Sequence, residues 1–127
     1  MVSFHEDTEY ETFYLYDLAG ERWEGKEGWV SFKKGVRELG VELLTGIDDK
    51  SDPNLGYFFK NGYGYFPKPD VESGVFGWGL KKGFITKSVE PELPSKLPQQ
   101  KKDKMVDLFF WCFLVNGGVD QFILNWA

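Results

Sequence analysis

Cysteine and histidine are nearly missing: the 127 residues contain one of each, Cys112 and His5. One thiol cannot build a disulfide framework, and its place in the apolar run 108–115 marks it as a small core hydrophobe. With one imidazole, zinc would need carboxylates to complete its shell. His5, so near the start of the chain, is expected to be mobile, so no metal or cofactor is expected. No Ser-His or Cys-His dyad stands out for nucleophilic catalysis. Long apolar runs are missing too. The longest, 108–115, is too short to span a bilayer, and no charged segment followed by an apolar one opens the sequence. The expectation is a soluble, unexported, cytoplasmic protein. Lysine and arginine are absent from residues 1–21, which carry Glu6, Asp7, Glu9, Glu11, Asp17 and Glu21. The net charge is −5, so the acidity belongs to the N-terminal segment, and residues 22–127 nearly balance.

Aromatic residues are plentiful, at 18% of the chain, and the length suffices for one domain with a proper core. Residues 10–18 alternate in strand fashion, with Tyr10, Tyr14 and Tyr16 on one side and Phe13, Leu15 and Asp17 on the other. Three short units at 28–36, 56–63 and 77–84 then echo one another: Gly, aromatic, apolar residues, Lys-x-Gly, apolar. Each reads as a hairpin whose second glycine supplies positive φ. Residues 36–44 also fit an amphipathic helix, but the strand is preferred, because Gly35 and Gly40 would weaken a helix. Pro91, Pro94 and Pro98 mark an extended connector, 91–98, between a β-rich region, 1–90, and a helical segment, 99–127. The expected class is α+β: an antiparallel sheet of hairpins, roughly residues 9–86, packed by helices near 99–116 and 119–126.

The second of those helices follows a specific motif. Val119, Phe122, Ile123 and Trp126 recur at helical spacing after Asn116-Gly117-Gly118, whose glycine can close the preceding helix. Asn-Gly between apolar runs also signals a β-hairpin, and that alternative stays open. Residues Asn116, Gly117, Gly118, Gln121, Phe122 and Asn125 resemble the Asn-Gly-Gly-x-x-Gln-[Phe/Tyr]-x-x-Asn signature of a family of small acidic bacterial proteins. The resemblance implies a helix–turn–helix at this point and, since some members are described as DNA mimics, a role in occupying a nucleic-acid-binding protein.

Other motifs fail on their chemistry. The segment 20–26 spells most of a phosphate-binding loop, but Glu27 stands where Mg²⁺ chemistry needs Ser or Thr, and Glu21 and Glu24 would oppose phosphates. Asp48, Asp49, Asp52 and Asn54 lack the order of a calcium loop, and turn chemistry explains them better. The leading expectation is a non-catalytic protein that neutralises a basic protein partner (toxin, nuclease or DNA-binding protein), as an immunity protein, antitoxin or DNA mimic does. Glu6, Asp7, Glu9 and Glu11, with Asp48, Asp49 and Asp52 as a second cluster, would make the contact. Direct nucleic-acid or membrane binding is not expected. The rival is a β-rich module for carbohydrate or nucleotide, with Tyr57, Tyr63, Tyr65 and Trp78 as an aromatic face. A hydrolase built on a carboxylate pair ranks third.

Overall fold

Ten elements follow one another: β1 (Val2–Asp7), β2 (Tyr14–Ala19), α1 (Glu27–Glu38), β3 (Gly46–Ile47), β4 (Phe58–Phe59), β5 (Tyr63–Tyr65), α2 (Gly74–Lys82), β6 (Ser88–Pro94), α3 (Gln99–Phe110) and β7 (Leu124–Trp126). A π-helical turn, Trp111–Val115, prolongs α3. The computed structural model describes residues 1–49, 51–52, 54, 56–65, 74–115 and 124–126, with backbone alone at 74–76, 114–115 and 124–126. The class is α+β. The main sheet is mixed, in the order β5-β2-β6-β1-β7. Only β2 and β6 run antiparallel in it, while β3 and β4 form a separate antiparallel pair.

Strand alternation splits the sheet into two unlike faces. Val2, Phe4, Phe13, Leu15, Val89 and Leu93 meet α1 and α3 in one core, where Trp29, Phe32, Val36, Met105, Phe109 and Phe113 answer them. On α1 these are positions i, i+3 and i+7, and each side chain is at most 1% exposed, worth about 2 kcal/mol apiece in burial. On the opposite face lie Ser3, His5 and Asp7 of β1, Tyr14 and Tyr16 of β2, and Glu90 and Glu92 of β6. A small cluster of Tyr10, Tyr14, Leu44 and Phe59 covers part of it, with Tyr16 packed alongside.

Several expected elements take other forms. The units at 28–36 and 77–84 are helical, not hairpins, and only the one at 56–63 keeps its turn, where Lys60 and Tyr63 bridge around Asn61 (φ 49°) and Gly62 (φ 81°). The glycines of α1 serve contact instead. A Cβ on Gly28 would lie 2.8 Å from the Cys112 carbonyl oxygen, and one on Gly35 would lie 2.3 Å from Leu108, so their absence lets the helices approach. Gly40 (φ 79°) stops α1: its N–H returns to the Arg37 carbonyl and that of Val41 to Val36, the five-to-two and six-to-one bonds of a Schellman motif. Of the strand expected over 36–44, the first residues are thus a helix end, and what remains extended is a single parallel bridge between Leu43 and Phe13.

Residues 91–94 of the expected connector belong to β6, in the middle of the sheet. Pro91 sits there at one hydrogen bond's cost. Val89 donates to Met1 and Ser95 to Asp7, and by the same offset Pro91 faces the Ser3 carbonyl with no N–H to give; the β1–β6 pairing breaks there. The helix expected over 119–126 is a strand at its end: Leu124–Trp126 pairs with β1 and fills the edge beside Val2 and Phe4. Asn116, Gly117, Gly118, Gln121 and Phe122 lie outside the described residues, whereas Asn125 stands opposite Ser3.

Candidate functional site

The polar sheet face gathers several titratable side chains. Parallel pairing sets His5 of β1 opposite Glu92 of β6, and Glu90, two residues earlier, shares that face. One ligand-capable atom from each of His5, Glu90 and Glu92 lies within 4.8 Å of the other two. His5 Nδ1 is 3.8 Å from Glu92 Oε1, and its Nε2 is hydrogen-bonded to Ser3 Oγ at 2.9 Å. The expectation that His5 is mobile is thereby corrected: the N-terminal segment is an interior strand of the sheet, flanked by β6 and β7.

Antiparallel pairing brings Tyr14 opposite Glu92 and Tyr16 opposite Glu90. The Tyr14 hydroxyl donates to Asp7 Oδ2 and that of Tyr16 to Asp48 Oδ2, while Asp48 Oδ1 accepts the Tyr57 N–H at 2.6 Å. Burial first, then these hydrogen bonds, raise both phenol pKa values, so the hydroxyls remain donors. Burial also raises Glu90, and it pushes Glu92 up to about 8, with Glu90, Asp7 and Asp48 adding repulsion.

The two acidic segments predicted from sequence meet here. Asp7, Glu9, Asp48 and Asp49 all act on the Tyr10 phenol, whose pKa is raised by burial and then by their charges. Among the described residues, no lysine or arginine forms an ion pair with Asp7, Glu9, Asp48, Asp49, Glu90 or Glu92. Glu6 faces the other way and pairs with Lys102 of α3 at 2.8 Å. Glu11 is exposed and lines a shallow recess with Glu9 and Lys96. Asp49 accepts from Ser51 and the Asp52 N–H, and Asp52 accepts from the Asn54 N–H, as turn residues do.

The aromatic candidates do not share a face. Tyr63 is buried, its hydroxyl donating to Asp17, while Tyr65 carries the Arg22 guanidinium 4.6 Å from its ring. Both line a cleft of about 540 Å³ with Arg22, Lys33 and Lys60. Tyr57 instead contacts Tyr16, and Trp78 of α2 packs on Phe84.

Two catalytic arrangements can be weighed on this geometry. Ser3, His5 and Glu92 follow the order of a hydrolytic triad, but Ser3 is 3% exposed and the His–Glu separation exceeds a hydrogen bond. Glu90 and Glu92 stand within 4.8 Å on one strand, closer than glycosidase carboxylates, which flank the scissile bond roughly 5–9.5 Å apart. Neither arrangement fits its reaction. Glu90 and Glu92 carry no signal in the sequence because Pro91, between them, marks the start of a connector; the alternation Ser3-x-His5-x-Asp7 is visible, but its partner strand is not. Comparison with known protein families, curated proteins and solved structures returned no match.

Proposed function

We propose that this chain is a non-catalytic binding protein that presents a carboxylate face to a basic protein partner, in the manner of an immunity protein, antitoxin or DNA mimic. One observation supports it above the rest: carboxylates from residues 7–9, 48–49 and 90–92 lie close enough to act on shared neighbours, and none of them forms an ion pair with a lysine or arginine among the described residues. Such a field speeds encounter with a cationic surface and repels nucleic acid. Exposed Tyr57, whose N–H is bound by Asp48, supplies an apolar anchor beside it. The test is capture from the native host with wild-type protein and a Glu9→Gln, Glu11→Gln, Asp49→Asn variant. A prey of high isoelectric point, bound more slowly as salt rises and lost by the variant, supports the reading. Binding indifferent to both salt and charge removes it.

A second reading rests on the cleft. Arg22, Lys33 and Lys60 outnumber Glu24 there, beside Trp29 and Tyr65, which favours an anionic aromatic ligand such as a nucleotide over a neutral sugar. Quenching of tryptophan fluorescence by nucleotides, abolished by Arg22→Ala, would favour it over the acidic face.

A further inference from the structure

We propose that His5, Glu90 and Glu92 hold one divalent transition-metal cation of the Zn²⁺ class on the sheet face opposite the helices. This rests on coordinating geometry and stands whether or not a basic partner exists. Three side chains from two hydrogen-bonded strands bring one nitrogen and two carboxylate oxygens within 4.8 Å of one another. Ligands about 2.0–2.2 Å from a common metal stand roughly 3.3–3.6 Å apart in a tetrahedron, so the three donor atoms must draw in by about 1 Å, a shift that rotamer changes supply. The register fixes them: His5 and Glu92 are direct cross-strand partners, and Glu90 is the next residue of β6 on that face.

Two further observations point to a cation. Glu92 is 9% exposed and its carboxylate accepts no hydrogen bond among the described residues; His5 Nδ1 is 3.8 Å away. A buried carboxylate without a donor is costly, and a cation between it and the imidazole satisfies both. The second is the imidazole's orientation. Nε2 and Ser3 Oγ share a hydrogen bond at 2.9 Å, and in the tautomer that carries the proton on Nε2 the Nδ1 lone pair faces the carboxylates, as the outer-shell bonds of ligating histidines arrange it. Asp7 and Asp48, held by Tyr14 and Tyr16, deepen the negative potential around it. Mixed imidazole and carboxylate ligands suit Zn²⁺, Co²⁺, Mn²⁺ or Fe²⁺, whereas Ca²⁺ and Mg²⁺ prefer oxygen alone. His5 is partly exposed, which leaves a path for exchange. Bound there, the ion would tie β1 to β6.

The presence of a single histidine makes the test direct. Chelator-treated protein is titrated with Co²⁺, followed by visible absorption, and with Zn²⁺, followed by imidazole ¹⁵N resonances. We expect saturation at one equivalent, displacement of Co²⁺ by Zn²⁺, and a shift of His5 Nδ1 while Nε2 keeps its proton. His5→Gln and Glu92→Gln should each weaken binding more than about tenfold, with Asp107→Asn on α3 unchanged. Absence of saturable 1:1 binding, an unmoved Nδ1 resonance, or full affinity in folded Glu92→Gln overturns the proposal. The ¹⁵N measurement needs no variant, so it decides even if a substitution prevents folding.

Discussion

The Lys87 ammonium donates to Asp17 Oδ1 across the β2–β6 seam and also to the Glu21 carbonyl, at 2.6 Å. Asp17 is wholly buried, and its second oxygen accepts from the Tyr63 hydroxyl and, at 3.4 Å, from the Trp23 N–H. This network pins the 20–24 segment to the sheet. Burial lowers the Lys87 pKa against the opposing pull of Asp17. Asp17→Asn would leave that ammonium, 11% exposed, without its counter-charge. A loss of roughly 3–5 kcal/mol is expected, read as a fall in the urea midpoint, and Lys87→Met in the same chain should restore part of it. Equal stability of Asp17→Asn and wild type would show the pair to be dispensable.

Gly28→Ala tests whether the glycines of α1 are spacers. Alanine favours a helix interior by about 1 kcal/mol over glycine. Its Cβ would nevertheless meet the Cys112 carbonyl oxygen at 2.8 Å, and a backbone atom cannot swing aside. The expected net result is destabilisation by about 1–3 kcal/mol. Stabilisation would mean that the π-helical turn yields without cost.

Those glycines also show why the sequence was only partly legible. The period-2 pattern at 10–18 and the helical run after 99 rest on side-chain burial, a local signal, and the structure shows the first from residue 14 on, as β2, and the second as α3 with its π-helical turn. The Lys-x-Gly units carry no such information. The same three letters lie inside α1 at 33–35, turn a chain at 60–62 and close α2 at 81–83, where Gly83 donates to the Leu80 carbonyl. Glycine permits all three, and tertiary contact chooses. Likewise Glu90 and Glu92 become neighbours of His5 only once β1 and β6 pair across more than eighty residues. No local pattern encodes that pairing, and Pro91 disguised the strand.

Cys112 supplies a probe of the helix layer. Its thiol is 3% exposed among core aromatics, and burial raises its pKa. Low exposure and little thiolate both suppress reaction. An aromatic disulfide reagent at pH 8 should label the native protein only at the rate of unfolding, and immediately in urea. Fast labelling of one thiol without urea would mean that the π-helical turn opens on its own.

Stability of the metal-free protein should fall as pH rises from about 5 to about 8.5. Burial and the charges of Glu90, Asp7 and Asp48 lift Glu92 from its ordinary 4.5 to about 8, and burial lifts Glu90 as well. His5 shares this face, and the Tyr14 and Tyr16 hydroxyls border it. A raised carboxyl holds its proton in the native state after the unfolded chain has released it. Its contribution is therefore complete below about 4.5 and is lost as pH climbs through about 8. The urea midpoint in chelator should be higher at pH 5.5 than at pH 8.5, and Glu92→Gln should flatten the difference by raising the alkaline value. A cation at the same carboxylates would replace the lost proton, so saturating Zn²⁺ should restore stability at pH 8.5 by mass action on the native state. A midpoint that climbs with pH, or one that Glu92→Gln leaves unaltered, would show that this carboxyl is not held protonated at the sheet face.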